Sequence, residues 1–409
     1  MVDVQNAELE SFRDTVRTWL KDNFPDSLRA NPDAVTQSLM MHGSKAGEDV
    51  LLWRKRFGEM GWGVPAWPRA YGGGGLSPAE ISILEAEMDR IDARNPIGGL
   101  GVMMFGPTLL EFGNEEQLKQ HIPPIARGEL QWCQGFSEPS AGSDLASLKM
   151  PAIDQGDHFL VTGQKIWTTG AQYADWCFCL VRTEQTAKKH DGISFLLIDM
   201  HSPGVEVRPI RLINGDESFC EIFFTEVKVP KENLVGRLNG GWAIAKRLLQ
   251  HERQNTSSGV SLFGAMDRMP ISDIAKRIVG VEENGRLADP DLRQRLTAHL
   301  VEAKSFELTL WRAEEESRAS GGPSLVSSIL KNAGNQVMQD GAELLVEMMG
   351  HQGLGWEGEG FSDSEREAVR NWLMSKAGSI AGGSYEVQNN IIAKRILGLP
   401  DAVSGGASS

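Results

Sequence analysis

Apolar positions recur at three- and four-residue steps through the first ~130 residues, and this spacing predicts helices; Leu9, Phe12, Val16, Trp19 and Leu20 form one such stripe. The proline-rich stretch 65–68 and the turn Tyr71-Gly72-Gly73-Gly74-Gly75 interrupt the pattern as a loop, and helical spacing resumes after Ser77-Pro78. From about Trp132 to Val235 the period changes, and the short runs 159–162, 176–181, 193–198, 205–210 and 219–229 read as strands. Beyond Gly240-Gly241 the helical period returns, with signals over 291–318 and 324–349 and a capping box, Ser362-x-x-Glu365. Helices, then strands, then helices predict an α+β multidomain chain rather than alternating βαβ units. The expected divisions are an all-α N-terminal domain over 1–130, a middle β domain over 131–238, a C-terminal helical domain over 239–401 and a Gly/Ser-rich tail over 402–409.

Composition narrows the function. The 409 residues are 41% hydrophobic and 23% charged, the balance of a soluble globular protein. A net charge of −14 argues against a general affinity for nucleic acid or anionic membrane. The longest apolar stretches, 97–110 and 192–200, fall short of the roughly 20 residues of a membrane-spanning helix. The first ten residues carry three acidic side chains and do not resemble a signal peptide. Cys133, Cys177, Cys179 and Cys220 form neither a disulfide framework nor a metal-ligand set, so reduced, buried thiols and a cytoplasmic location are expected.

Several strings fail as motifs. The glycines at 98, 99, 101 and 106 lack dinucleotide-binding spacing, and His251-Glu252-Arg253-Gln254-Asn255 has no second histidine for a zinc site. The stronger constellation is Phe136-Ser137-Glu138-Pro139-Ser140-Ala141-Gly142-Ser143-Asp144, followed by Gly163-Gln164-Lys165-Ile166-Trp167-Thr168-Thr169. A turn of small hydroxyl residues offers backbone N–H groups and hydroxyls to a ligand, and a strand-end indole offers a flat face to a planar ring. Small-residue turns and buried tryptophans are also common structural features.

Both strings, in this order, resemble the flavin-binding signatures of the acyl-CoA dehydrogenase family. Tyr71-Gly72-Gly73-x-Gly75-Leu76-Ser77 and Gly383-Ser384-Tyr385-Glu386-Val387-Gln388-Asn389-Asn390 resemble two further family signatures, so the resemblance spans nearly the whole chain. It implies a helical N-terminal domain, a β-barrel-like middle domain and a C-terminal four-helix bundle. It also implies FAD, with Phe136, Ser137, Gly142, Ser143, Trp167, Thr168, Thr169, Ser384 and Glu386 at the cofactor, and an acyl-CoA substrate oriented by Ser143, Arg253 and Gly382. A carboxylate would take the α-proton while the β-hydrogen leaves as hydride to flavin N5, with electrons passing to an electron-transferring flavoprotein.

Where many family members carry the base before the C-terminal signature, this chain has Gly382; a minority carry it on the first helix after the β domain, at the position matching Glu252. Periodicity places Glu252 on the apolar stripe Ile244, Leu248, Glu252, Thr256 and Val260. A carboxylate there is either an internal ion pair or a group tuned for use, and the resemblance favours the base. Two features depart from homotetrameric members. The Arg-x-x-Phe-Gly string that reaches a neighbour's FAD is missing around Arg277, and a glutamine that meets that FAD is replaced by Glu347, a carboxylate expected to repel pyrophosphate. The half-site offered to a neighbour is thus altered, which, with the string 251–253 and the insert 287–292, resembles the large subunits of two-gene dehydrogenases. An α2β2 heteromer with a smaller homologous subunit is expected, the alternatives being a homodimer or homotetramer. An oxygen-using acyl-CoA oxidase and a non-catalytic partner chain are the competing functions.

Overall fold

A computed structural model describes residues 2–40, 46–186, 188–257, 270–320 and 324–400, with the side chains at 2–5, 37, 40, 252–257, 318 and 327 outside that description. The expected tail 402–409 also lies outside it. The chain forms two compact units, one comprising 1–211 and 217–252, the other 212–216 and 253–409.

The first unit opens with α1 (Val2–Asn23), α2 (Asp26–Ala30), α3 (Asp33–Met40), α4 (Glu48–Glu59), α5 (Pro78–Asp89), α6 (Gly106–Phe112) and α7 (Glu115–Ala126). The stripe on α1 buries Val16 and Leu20 against Trp53, Phe57 and Leu84, which is why a 3.6-residue period was readable there. Glu87 on α5 is buried, yet it accepts from Arg17 (2.8 Å) and Arg90 (2.8 Å), and these guanidinium groups hold its carboxyl down at about 2. The glycine turn folds back on 65–67: Leu76 N–H donates to the Pro65 carbonyl, and a Cβ at Gly73 would lie 2.3 Å from the Trp67 carbonyl oxygen. Helix α7 starts at a reciprocal Asn114/Gln117 cap, and the Gln117 amide also donates to the carbonyls of Glu232 and Leu234, tying the helix to the β region.

That region is two four-stranded sheets. The first orders β1 (Trp132–Gly135), β4 (Trp176–Arg182), β5 (Ile193–Asp199) and β8 (Leu234–Val235), with β1 parallel to β4. The second orders β2 (Ala152–Asp154), β3 (His158–Thr169), β7 (Phe219–Pro230) and β6 (Val205–Ile210), all antiparallel. One face of the first sheet packs on the second through Cys177, Cys179, Leu196, Ile198, Phe159, Val161, Ile222 and Phe224. Its other face carries Phe178, Leu180, Phe195 and Leu197 against Phe105, Leu109, Ile122 and Ile125 from the helical region. Burial on both faces explains why β4 and β5 read as unbroken apolar runs, whereas β6 and β7 alternate. All four cysteines are unpaired and buried, and burial pushes the Cys177 and Cys179 thiols up.

Helix α8 (Gly241–Ser257) closes the first unit, seating Ile244, Ala245 and Leu248 on the same core as Phe195. The second unit contains α9 (Ile271–Val279), α10 (Pro290–Ser320), α11 (Ser327–Met348), α12 (Asp363–Ser375) and α13 (Tyr385–Ile391). Ala275, Leu287, Leu292, Leu296, Leu344 and Met348 form its core, and the expected Ser362/Glu365 capping box starts α12.

Candidate active site

The two strings singled out from the sequence meet in the first unit. Residues 138–141 form a tight turn in which Glu138 and Ala141 exchange both backbone hydrogen bonds (3.1 and 3.0 Å). Ile166 N–H on β3 donates to the Ser137 carbonyl at 3.0 Å, so the turn lies along that strand. Gly142 and Ser143 are exposed at its tip, and nothing lies within 4 Å of where a Cβ at Gly142 would sit. The Phe136 side chain is in the core, edge-on to Phe178 and Phe195, so what it offers a ligand beside the turn is its backbone.

Strand β3 runs beyond the expected 159–162 through the polar string to Thr169, with irregularities between Val161 and Gly163 and between Lys165 and Thr168. Within the second irregularity Trp167 adopts φ +60°, a left-handed conformation that costs a non-glycine residue on the order of 1–3 kcal/mol. Its indole is 56% exposed, while Thr168 is 1% exposed and its hydroxyl has no hydrogen-bond partner among the described residues. Backbone strain and an exposed indole coincide at Trp167, and beside a turn of small residues they fit a flat ring system that stacks on one face, as an isoalloxazine does. The Thr168 hydroxyl is sealed inside the protein, and the neighbouring Thr169 is half-buried.

Sequence reasoning missed two residues that build this place. Lys165 is 0% exposed, and its ammonium donates to the Phe136 carbonyl (3.0 Å) and to Glu138 (2.9 Å). The buried Glu138 carboxylate also accepts the backbone N–H groups of Lys149 (2.7 Å) and Met150 (2.9 Å). A lysine on the inward face of a strand, paired with a carboxylate inside the neighbouring string, was the available signal.

Helix α8 carries positions 252 and 253 in its last turns; the side chains of Glu252 and Arg253, with Thr256, lie outside the described residues, as does Val260 altogether. One turn earlier Leu248 is fully buried, so the helix face that 252 shares by spacing is the core face. Arg247 grips Glu111 of α6 through two nitrogens (2.7 and 2.6 Å), and His251 lies 3.1 Å from the same carboxylate. Burial, reinforced by Arg247, pushes the His251 imidazole down against the opposing pull of Glu111.

In the second unit Gly382 (φ +66°) and Gly383 (φ +97°) form a left-handed turn whose Gly382 carbonyl accepts from the buried Gln388 amide at 2.8 Å. Ser384 Oγ caps α13 by accepting from Val387 N–H, and Glu386 is exposed. Arg295 clamps Glu347 through both oxygens and holds its carboxyl below the usual range, which keeps it ionised. Arg277 stands in the last turn of α9.

Models of the N-terminal, middle and C-terminal domains of acyl-CoA dehydrogenases match residues 6–129, 133–227 and 239–397. The chain is 34% identical to the acyl-CoA dehydrogenase IpdE1 of Mycolicibacterium smegmatis, over 97% of this chain and 100% of that one. Two solved structures are similar to it, each covering 97% of this chain and 98% of the other. The Tcur3481-Tcur3483 steroid ACAD has a TM-score of 0.73 at 28% identity, and the ChsE4-ChsE5 complex from Mycobacterium tuberculosis has 0.71 at 26%. The chain belongs to the acyl-CoA dehydrogenase family. It is an oxidoreductase that dehydrogenates acyl-CoA thioesters, in a family that uses FAD. Among the described residues no helix is long and apolar enough to cross a membrane.

Proposed function

We propose that this chain is the catalytic subunit of a two-gene acyl-CoA dehydrogenase that converts an acyl-CoA to the trans-2-enoyl-CoA, with Glu252 as the base. The observation that carries the reading is the left-handed, exposed Trp167 at the joint of the two signatures. FAD, when bound, supplies the acceptor for the β-hydrogen and its electron pair. Trp167 would cover the ring, Thr169 would hydrogen-bond its edge with Thr168 buried behind it, and Ser137, Gly142 and Ser143 present small groups that would let ring and thioester approach. Ser384 and Glu386 meet the remainder of the cofactor.

Glu252 takes the α-proton from the end of the buried face of α8; Gly382 has no side chain to do so. Ser143 and Arg253 orient the thioester, and a backbone N–H near Gly382 faces its carbonyl oxygen as charge develops there. Electrons leave to an electron-transferring flavoprotein. The half-site that lacks the Arg-x-x-Phe-Gly string around Arg277 and carries Glu347 in place of a glutamine supports an α2β2 assembly with a smaller homologous subunit, as does similarity to the Tcur3481-Tcur3483 and ChsE4-ChsE5 structures, each named for a pair of proteins.

The test is FAD content per chain, expressed alone and with a neighbouring small homologue, followed by turnover of Glu252→Gln. General-base action is worth about 10²–10⁴-fold, so the variant should retain flavin and lose turnover by that factor. Flavin absent from both preparations refutes the cofactor reading, and near-normal turnover in the variant refutes the base.

A further inference from the structure

We propose that Lys165 and Glu138 are the positioning residues of this site: their buried pair fixes the turn at 137–143 to β3 and so sets where Trp167 and Thr169 meet the ring. The inference rests on the flavin reading above and adds two residues that touch neither ring nor substrate in it.

The connections run in one direction. Lys165 lies between the two irregularities of β3 with its side chain directed fully inward. Its ammonium joins the strand to the Phe136 carbonyl and the Glu138 carboxylate, and that carboxylate joins the turn to the amides of Lys149 and Met150. A single charged pair therefore gathers three segments, 136–138, 149–150 and 165, immediately before the strand reverses its handedness at Trp167. The Ile166-to-Ser137 hydrogen bond lies one residue from each partner and stays formed only while the two segments keep their register. Arg182 holds the far side of the same loop, its side chain donating to the carbonyls of Ala146 (2.8 Å) and Leu148 (3.1 Å) and its backbone N–H to that of Met150 (2.8 Å). The loop thus has a second anchor, while the turn beside Trp167 depends on Lys165 and Glu138.

A buried ion pair is a poor source of net stability, since a well-packed apolar replacement is often neutral, whereas removing one partner strands a charge. Directional hydrogen bonds to a carbonyl and two amides are what an apolar replacement cannot reproduce. Two variants separate these roles: Lys165→Met, which strands Glu138, and the double variant Glu138→Leu/Lys165→Met, which removes both charges.

Each variant is compared with wild type in its flavin-loaded form, alone or co-expressed with the small subunit, for flavin dissociation constant, visible flavin spectrum and thermal midpoint. Hydrogen exchange of peptides covering 137–150, 163–169 and 193–199 is followed in parallel on protein stripped of flavin. The expected result is that the double variant regains the midpoint lost by Lys165→Met yet still binds flavin at least 10-fold more weakly, with a shifted spectrum. Exchange should speed at least 10-fold in 137–150 and 163–169 and stay unchanged in 193–199. A double variant with wild-type flavin affinity and exchange overturns the proposal, as does loss of protection spread equally over 193–199. If wild type holds no flavin in any form, the functional reading fails, and the exchange data alone decide whether the pair positions the turn.

Discussion

His121 of α7 is 1% exposed, packed edge-on between Trp132 (5.2 Å) and Trp176 (4.9 Å), and neither ring nitrogen has a partner among the described residues. Burial alone lowers its pKa from 6.5 to about 4. A depressed histidine stabilises the fold fully above its unfolded pKa and loses that contribution as pH falls, because the unfolded chain takes the proton first. With 1.36 kcal/mol per pK unit, the loss relative to pH 8 is about 2 kcal/mol at pH 5 and about 3 kcal/mol at pH 4.

His121→Phe keeps the aromatic packing and removes both the titration and the two unmet nitrogens. It should be more stable than wild type by about 1–3 kcal/mol at pH 8, the cost of leaving such groups unpaired, and by about 2 kcal/mol more at pH 5. Urea unfolding of both proteins at the two pH values, read as the difference between them, cancels the other histidines. An identical difference at pH 8 and pH 5 refutes the assignment of a dry, neutral imidazole.

Thr169→Val should weaken flavin binding by about 2- to 10-fold, the worth of one hydrogen bond, whereas Thr168→Val, at a buried hydroxyl, should leave affinity unchanged. Titration of stripped protein with FAD checks this, and unchanged affinity in Thr169→Val removes its hydroxyl from the site. Glu87→Gln should cost about 1–3 kcal/mol at pH 7 by releasing Arg17 and Arg90, measured by denaturant midpoint. Because its arginines outweigh burial and hold its pKa at about 2, that cost should be full above about pH 5.5 and shrink progressively as pH falls from the unfolded glutamate's range down through the folded pKa.

The architecture was legible where burial writes a period into the chain. The stripe on α1, the two-sided strands β4 and β5 and the long helices α10 and α11 all carried it. Strands β1, β2 and β8 have four, three and two residues, too few to establish a period, and the polar half of β3 is interrupted by irregularities that break alternation. The strings that make the site were visible as strings. Their internal logic was not, because Lys165 and Glu138 are 27 residues apart and Arg295 and Glu347 are 52 apart, distances over which sequence gives no pairing. The core role of the Phe136 side chain was hidden for the related reason that a residue inside a binding signature can also serve the core behind it.

The first sheet, covered on both faces, sets conditions on how the chain can be made and cut. Its helical cover comes partly from residues translated before it, such as Phe105 and Ile122, and partly from residues translated after it, Ile244 and Leu248. The opposite cover depends on β7, which follows β5 in synthesis. A nascent chain ending near residue 200 would therefore carry strands that are water-averse on two sides with neither shelter complete, an interval suited to chaperone capture. By the same token, a nick between β5 and β7 should yield two sticky fragments, so intact N-terminal or middle pieces will be hard to prepare in isolation.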